Sequence, residues 1–200
     1  MSDLKETARL EAAWAGEFGN DYSRRNKSWL HRKPFWRKIM KDTAAESILE
    51  VGCNTGHNLV CIDGKGRDLY GIDINQAAID HARKRLPNAL LSVNSAKSLP
   101  WKDNKFDLVF TMGVLIHQPD ESLHMVMSEI VRCSNQWVLC AEYTAQQTTP
   151  VAYRGLDASL FKRNYKSLYL EAFPLVLYQE GFLGKKDGFD DLTWQLFRKV

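Results

Sequence analysis

One stretch constrains this chain more than any other: Ser47 to Asn58, reading SILEVGCNTGHN. Ile48, Leu49 and Val51 are apolar and mostly β-branched, as a buried strand requires. Gly52 and Gly56 follow at once, and then a short apolar segment from Asn58 to Ile62. A strand that ends in glycines and opens into a helix makes a cradle. The glycines let the backbone approach a ligand, and the helix start offers free N–H groups. A second strand ends at Asp73, 21 positions after Gly52. That spacing suits a carboxylate that accepts hydrogen bonds from a ribose. The stretch therefore points to a nucleoside-type cofactor.

From Ser47 onward the pattern alternates between strands and helices. Strands are expected at 47–51, 68–73, 89–93, 106–111 and 136–142, with helices at 56–63, 76–86 and 121–133. In the last helix Leu123, Val126, Met127, Ile130 and Val131 share one face. Near-continuous apolar strands such as Phe106–Phe110 belong to a parallel sheet covered on both sides. Repeated strand–helix units with right-handed crossovers give an α/β fold, a doubly wound, mostly parallel Rossmann-like sheet with helices on both faces. After Tyr143 the chain reads as a long polar connection, longer than a crossover needs, and so functional or a lid partner. A helix is expected at 164–173 and two last strands at 175–178 and 191–198.

The first 45 residues read as an N-terminal helical cap or lid on a core spanning 46–200, all within one domain. Leu4, Ala8, Leu10, Trp14 and Phe18 suggest a packed helix. Between Tyr22 and Lys41 stand eight Lys or Arg residues and no acid, with Trp29, Phe35 and Trp36 interleaved. Such a run is either a solvated basic face or a lid that attracts an anionic acceptor. A net charge of +3 does not call for nucleic acid. No apolar run approaches membrane-span length, and the first residues lack the apolar core of a signal peptide, so a cytoplasmic protein is expected. The four cysteines show no C-x-x-C spacing. Free thiols are expected, with no metal site.

The turn itself narrows the cofactor. A nicotinamide dinucleotide wants G-x-G-x-x-G, whose glycines make room for a pyrophosphate. Gly52-Cys53-Asn54-Thr55-Gly56-His57-Asn58 lacks the third glycine. S-adenosylmethionine has an adenosine and an amino-acid tail but no phosphate, and would not need that geometry. Here the chain resembles the class I S-adenosylmethionine-dependent methyltransferases. Their first motif appears as Glu50-Val51-Gly52-Cys53-Asn54-Thr55-Gly56, with Asn54, a residue that tolerates a left-handed backbone, in place of the central glycine. The second appears as Tyr70-Gly71-Ile72-Asp73-Ile74-Asn75, the third as Val93-Asn94-Ser95-Ala96, and the fourth as Phe106-Asp107-Leu108-Val109-Phe110. A narrower resemblance, carried by EFGNDYSRRN, EVGCNTGHNL, GVLIHQPD, AEY, YRG with LFKRN, and DDLTWQLFRK, is to the pseudaminic acid biosynthesis-associated methylases.

The resemblance implies S-adenosylmethionine as cofactor, an antiparallel last strand, and methyl transfer to O or N of a small molecule. The acceptor would be an anionic or nucleotide-linked sugar of a surface-glycan pathway, or another natural product. A nicotinamide oxidoreductase and a non-catalytic cofactor-binding protein remain the alternatives. The expected cofactor residues are Glu50, Gly52, Cys53, Asn54, Gly56, Asp73, Ile74, Ser95, Ala96 and Met112, with Tyr22, Arg25 and Asn26 closing over them. His117, just past the fourth strand, is the candidate base because ligands bind at the carboxyl ends of parallel strands. Glu142 is the second candidate. Tyr143, Arg154 and Lys162 are the candidate acceptor contacts.

Overall fold

The computed structural model describes residues 3–25, 30–153 and 156–200. Two helices, α1 (Asp3–Ala15) and α2 (Glu17–Arg25), precede a third, α3 (Lys33–Thr43). Then the alternation begins: β1 (Ser47–Val51), α4 (His57–Ile62), β2 (Asp68–Asp73), α5 (Gln76–Arg85), β3 (Leu90–Val93), β4 (Phe106–Met112), α6 (Asp120–Cys133) and β5 (Ser134–Glu142). A ribbon of β6 (Thr149–Tyr153) and β7 (Leu156–Lys162) follows, then α7 (Tyr165–Ala172), β8 (Leu175–Leu183) and β9 (Leu192–Lys199). The main sheet has seven strands in the order β3-β2-β1-β4-β5-β9-β8. β1 to β5 are parallel to their neighbours, and β9 runs antiparallel between β5 and β8. No helix among the described residues is long and apolar enough to cross a membrane.

Alternation along the strands splits the core in two. Ile48, Leu108, Phe110 and Leu139 point to one face, where Trp36, Ile39, Leu59, Ile79 and Ala82 of α3, α4 and α5 cover them. Leu49, Val109, Val138 and Cys140 point to the other, against Val126, Met127 and Ile130 of α6 and Tyr165 and Tyr169 of α7. The period of 2 in the strands is what sends consecutive side chains to opposite layers.

Three expectations are corrected. The region 1–45 is not one cap: Phe35, Trp36, Ile39 and Met40 of α3 are buried in the core. Among the α1 and α2 side chains whose burial is described, Leu10 is the one buried apolar residue larger than glycine. Only α1 and α2 lie over the crevice as a cover. The polar connection after Tyr143 folds as the antiparallel β6–β7 ribbon, with Pro150 paired to Phe161. Its Thr, Val and Tyr residues suit a strand, and Gln and Pro had masked them. β8 extends to Leu183, well beyond 178, because it pairs with β9 along its whole length.

The glycine turn shows why two of its residues cannot carry a side chain. Gly52 has φ +79°, and a Cβ there would run into Val114 Cγ2. Gly56 has φ +77°, and its Cβ would stand 2.9 Å from Leu86 Cδ1 and 3.3 Å from Ala82 Cβ of α5. Gly56→Ala combines a left-handed alanine with overpacking, so a loss of about 2–4 kcal/mol is expected in urea unfolding. An unchanged midpoint would show that α5 can yield.

Candidate functional site

The crevice lies at the carboxyl ends of β1, β2 and β4, roofed by α1 and α2. Three carboxylates whose pKa values burial raises stand at the ends of β1, β2 and β5, and each organises a loop. Asp73 ends β2: its Oδ2 accepts the Asn54 N–H at 2.8 Å and its Oδ1 the Asn75 N–H at 2.9 Å. Burial pushes its pKa up, against the pull of the Asn75, Asn54 and Ile74 N–H groups. Asn54 has φ +47°, the left-handed conformation that its place in the motif requires. Its side-chain oxygen accepts the Ser23 hydroxyl of α2 at 2.7 Å, fastening the roof to the turn.

Glu50 of β1 is 2% exposed and lines the crevice. Its Oε1 accepts the Asn58 side-chain N–H at 2.7 Å, while its Oε2 is buried with no hydrogen-bond partner. Burial raises its pKa to about 8, although Asn58 and the Arg32 charge pull it down. A cationic ligand group would complete this carboxylate.

Glu142 is corrected as a candidate base. It is fully buried, and it does not line the crevice. Its carboxylate accepts the N–H groups of Val114 and Leu115 at 3.1 and 3.0 Å on Oε1, and that of Ile116 at 3.3 Å on Oε2. Burial raises its pKa to about 7. Its place is structural: it holds the turn that carries His117.

His117 does line the crevice. Its ring lies 4.5 Å from Trp14 of α1 and 5.5 Å from Tyr153 of the ribbon. Trp14 also meets Phe18 and Tyr22 edge to face, at 5.0 and 5.3 Å. The Trp14 Nε1 is buried without a hydrogen-bond partner among the described residues. Sequence reasoning read Trp14 only as a packing residue. Asn75 was likewise no more than a motif neighbour, yet it is 2% exposed and decisive. Its Oδ1 caps α5 by accepting the Ala78 N–H at 2.8 Å. Its Nδ2 donates to Trp14 O at 3.1 Å and to Asn20 Oδ1 at 2.9 Å.

The remaining expected residues divide. Tyr22, Gly52, Cys53, Asn54, Asp73, Ile74, Ala96, Met112, His117 and Tyr143 all line the crevice. Gly56 and Ser95 do not. Gly56 packs on α5 instead. The Ser95 hydroxyl is turned to Glu11 Oε1 of α1 at 2.6 Å, and Asn94 and Ala96 flank the crevice in its place. Lys162 lies in a side crevice with Tyr143, Thr144, Lys185, Asp190 and Asp191, joined to the main one through Tyr143 and Asp190. Arg24 pairs with Asp21 on the outer surface at 2.6 Å, and Arg25 is exposed. Asn26, Trp29 and Arg154 lie outside the described residues. Among the described residues of the basic run, Arg32 is the cation that reaches the crevice; its neighbours in sequence carry no signal to separate it.

The buried acids set a pH dependence. Glu50 and Glu142 have folded pKa values above the ordinary 4.5, so their contribution is full below that value and lost as pH rises through about 8 and about 7. His57 has the opposite sign: burial lowers its pKa from 6.5 to about 4, so stability is gained as pH rises between those values. Between pH 6.5 and 8 the carboxylates are left to act. The melting temperature should fall across that interval, and Glu50→Gln should flatten the fall. A wild-type profile already flat there would contradict the assignment.

Comparison with known proteins bears on this crevice. Residues 48–136 match the family described as "Methyltransferase domain". The demethylmenaquinone methyltransferase of Staphylococcus saprophyticus is 26% identical over 187 residues, covering 88% of this chain and 75% of its own length. A probable S-adenosylmethionine-dependent methyltransferase of Mycolicibacterium smegmatis is 26% identical over 95 residues, covering 47% of this chain and 37% of its own. The chain thus spans between about a third and three quarters of the length of these relatives. Among solved structures, the Burkholderia thailandensis 1,6-didemethyltoxoflavin-N1-methyltransferase with its substrate and S-adenosylhomocysteine superposes with a TM-score of 0.76. It shares 13% identity and covers 99% of this chain and 90% of its own.

Proposed function

We propose that this chain, whose methyltransferase domain takes S-adenosylmethionine as its cofactor, transfers the methyl group to a hydroxyl or amino group of a small, polar ring compound of the sugar type. The residues present suit that cofactor. Asp73 and Asn75 flank the crevice where the ribose is expected, Ile74 and Ala96 line it where an adenine is expected, and Glu50 offers an unpaired buried oxygen. When bound, the cofactor supplies a methyl group already activated on a sulfonium. The protein then has to align the acceptor and exclude water, more than to perform covalent chemistry.

The observation that carries the acceptor reading is the aromatic wall beside the crevice. Trp14, Tyr22, Tyr143 and Tyr153 line it, and His117 sits between Trp14 and Tyr153. A sugar ring lays its C–H faces on aromatic rings and turns its hydroxyls to polar tips. The unpartnered Trp14 N–H, the imidazole and the rim carboxylate Asp190 supply such tips. The resemblance to methylases of a surface-sugar pathway supports the same class. The reacting end of the acceptor is taken as neutral, because Lys162 lies in the side crevice and Arg24 and Arg25 face outward. An anionic or nucleotide-linked part would extend towards Lys162 and Lys185.

In this reading an imidazole nitrogen of His117 takes the proton from an acceptor hydroxyl, and Glu142 keeps the His117 turn in place. His117→Gln should leave S-adenosylhomocysteine affinity within about twofold and lower turnover by about 10²-fold or more, the ordinary size of a general-base contribution. Unchanged turnover would reduce His117 to a wall residue. The acceptor class is tested by screening free and nucleotide-activated sugars for S-adenosylhomocysteine release. Release only with planar aromatic acceptors would replace the sugar reading with a stacking one.

A further inference from the structure

The turn that carries His117 is held from behind by one buried side chain, Glu142. The His117 N–H donates to Val114 O at 3.0 Å and the Gln118 N–H to Leu115 O at 3.0 Å, so Val114 to Gln118 form one closed turn. At its front Val114 packs on the glycine turn, where its Cγ2 fills the space that a Cβ on Gly52 would need. At its back His117 meets Trp14 and Tyr153. The turn therefore touches both ends of the crevice, and the N–H groups of Val114, Leu115 and Ile116 all run to the Glu142 carboxylate.

The two oxygens of Glu142 are not used alike. Oε1 takes two of these bonds, at 3.1 and 3.0 Å, which fills its lone pairs. Oε2 takes one, from Ile116 at 3.3 Å. The longest bond thus belongs to the neighbour of His117, and Oε2 is the oxygen with room for a proton. Thr111 faces the same layer: it pairs in register with Cys140, two residues before Glu142, and so points to the same side of the sheet. Its hydroxyl helps to draw the Glu142 pKa down, yet Oγ1 is buried and makes no ordinary hydrogen bond among the described residues. An ionised Glu142 can accept all three N–H groups. A carboxyl protonated on Oε2 has an O–H to place, and Thr111 Oγ1 stands ready to receive it at the expense of Ile116.

We propose that Glu142 is a positioning residue that works as a proton-operated latch: ionised, it holds Ile116 and with it His117 at the crevice; protonated on Oε2, it turns its O–H to Thr111 and lets the His117 end of the turn loose. This rests on the reading of His117 as the residue that faces the acceptor. The Val114 and Leu115 bonds stay on Oε1 in both states, so the contact with the glycine turn is kept. The latch works near neutral pH, because burial raises the Glu142 pKa to about 7 against the pull of the Leu115, Val114 and Ile116 N–H groups. The other titratable groups around it are Cys140 on β5, Tyr143 just after it, Tyr165 and Tyr169 on α7, and His117 on the turn. Burial pushes the thiol and the three phenols up, so they stay neutral where Glu142 titrates. Arg163, ahead of α7, is paired with Asp120 at 2.7 Å. An imidazole titrates in the same range as Glu142, so the test has to separate the two.

Heteronuclear NMR on the full chain across the neutral pH range reads the latch without an acceptor. The Ile116 amide and the Glu142 side-chain carboxyl carbon should titrate together with a midpoint near 7. The protection of the Ile116 amide against hydrogen exchange should fall about tenfold or more from the basic to the acidic side, the loss of one hydrogen bond to a charged group. The Val114 and Leu115 amides should keep theirs. His117→Gln should leave the Ile116 step in place, which removes the imidazole as its source. Glu142→Gln, whose NH2 cannot accept the Ile116 N–H, should hold the Ile116 amide at its acidic position throughout and still bind S-adenosylhomocysteine within about twofold of the wild type. An Ile116 amide that does not move with the Glu142 carboxyl, or a step that disappears in His117→Gln, would overturn the latch. The wild type and His117→Gln decide this even where Glu142→Gln does not fold. Full turnover by His117→Gln would sink the reading of His117 as base while the amide step stands, so the two failures are told apart.

Discussion

A carboxylate taken out of water must be given donors, and this constraint shapes the working end of the sheet. Glu50, Asp73 and Glu142 lie at the carboxyl ends of β1, β2 and β5, all with pKa values raised by burial. Charges so buried are tolerated only when their lone pairs are met. Each acid solves the problem locally and so fixes a loop. Asp73 collects the N–H groups of Asn54 and Asn75, Glu142 those of Val114 to Ile116, and Glu50 the amide of Asn58. The glycine turn, the His117 turn and the start of α4 are therefore positioned by three desolvated acids. Glu50 and Asp73 line the crevice, and of the three acids Glu50 is the one with a buried oxygen that has no hydrogen-bond partner among the described residues.

The roof over these loops is fastened differently. α1 and α2 are tied by polar bonds that span the crevice: Asn75 to Trp14 O and Asn20, Ser23 to Asn54, Ser95 and Lys97 to Glu11, and Thr7 to Glu121. α3 is instead anchored by Trp36 and Ile39, both fully buried. Elements with few buried apolar side chains open at lower cost than core elements. The roof is thus held by bonds that water can replace, while α3 is held by the core.

The sheet and the glycine turn were legible because their signals are local. Apolar runs gave β1, β2, β4 and β5, the glycines marked the turn, and the acid spacing marked Asp73. Other features depended on side-chain direction, which spacing alone does not encode. Glu142 stands at a strand end as expected of a crevice residue, but its carboxylate turns down to the His117 turn. Ser95 sits in its motif, but its hydroxyl goes to Glu11 of a helix far away in sequence. The β6–β7 ribbon was hidden by Gln and Pro, because its pairing is decided across the ribbon and not along it. Arg32 looked like any of the eight cations of its run. Only the meeting of α3 with Asn58 and Gly188 distinguishes it.

The two halves of the crevice have different origins in the chain, and this bears on how such a fold changes acceptors. The half proposed for the cofactor comes mostly from one continuous run, Glu50 to Ala96, within the stretch that matches the methyltransferase domain family. The half proposed for the acceptor is assembled from Trp14 and Tyr22 of the roof, His117 after β4, Tyr143 after β5, Tyr153 of the ribbon and Asp190 before β9. Apart from His117, these residues fall outside residues 48–136. Loops and covers on a rigid scaffold can vary without disturbing the sheet that holds the cofactor. A chain 13% identical to the 1,6-didemethyltoxoflavin-N1-methyltransferase can therefore share its fold at a TM-score of 0.76. The proposed acceptor wall is written in Trp14, His117, Tyr143, Tyr153 and Asp190, side chains that meet only after the strands have placed them.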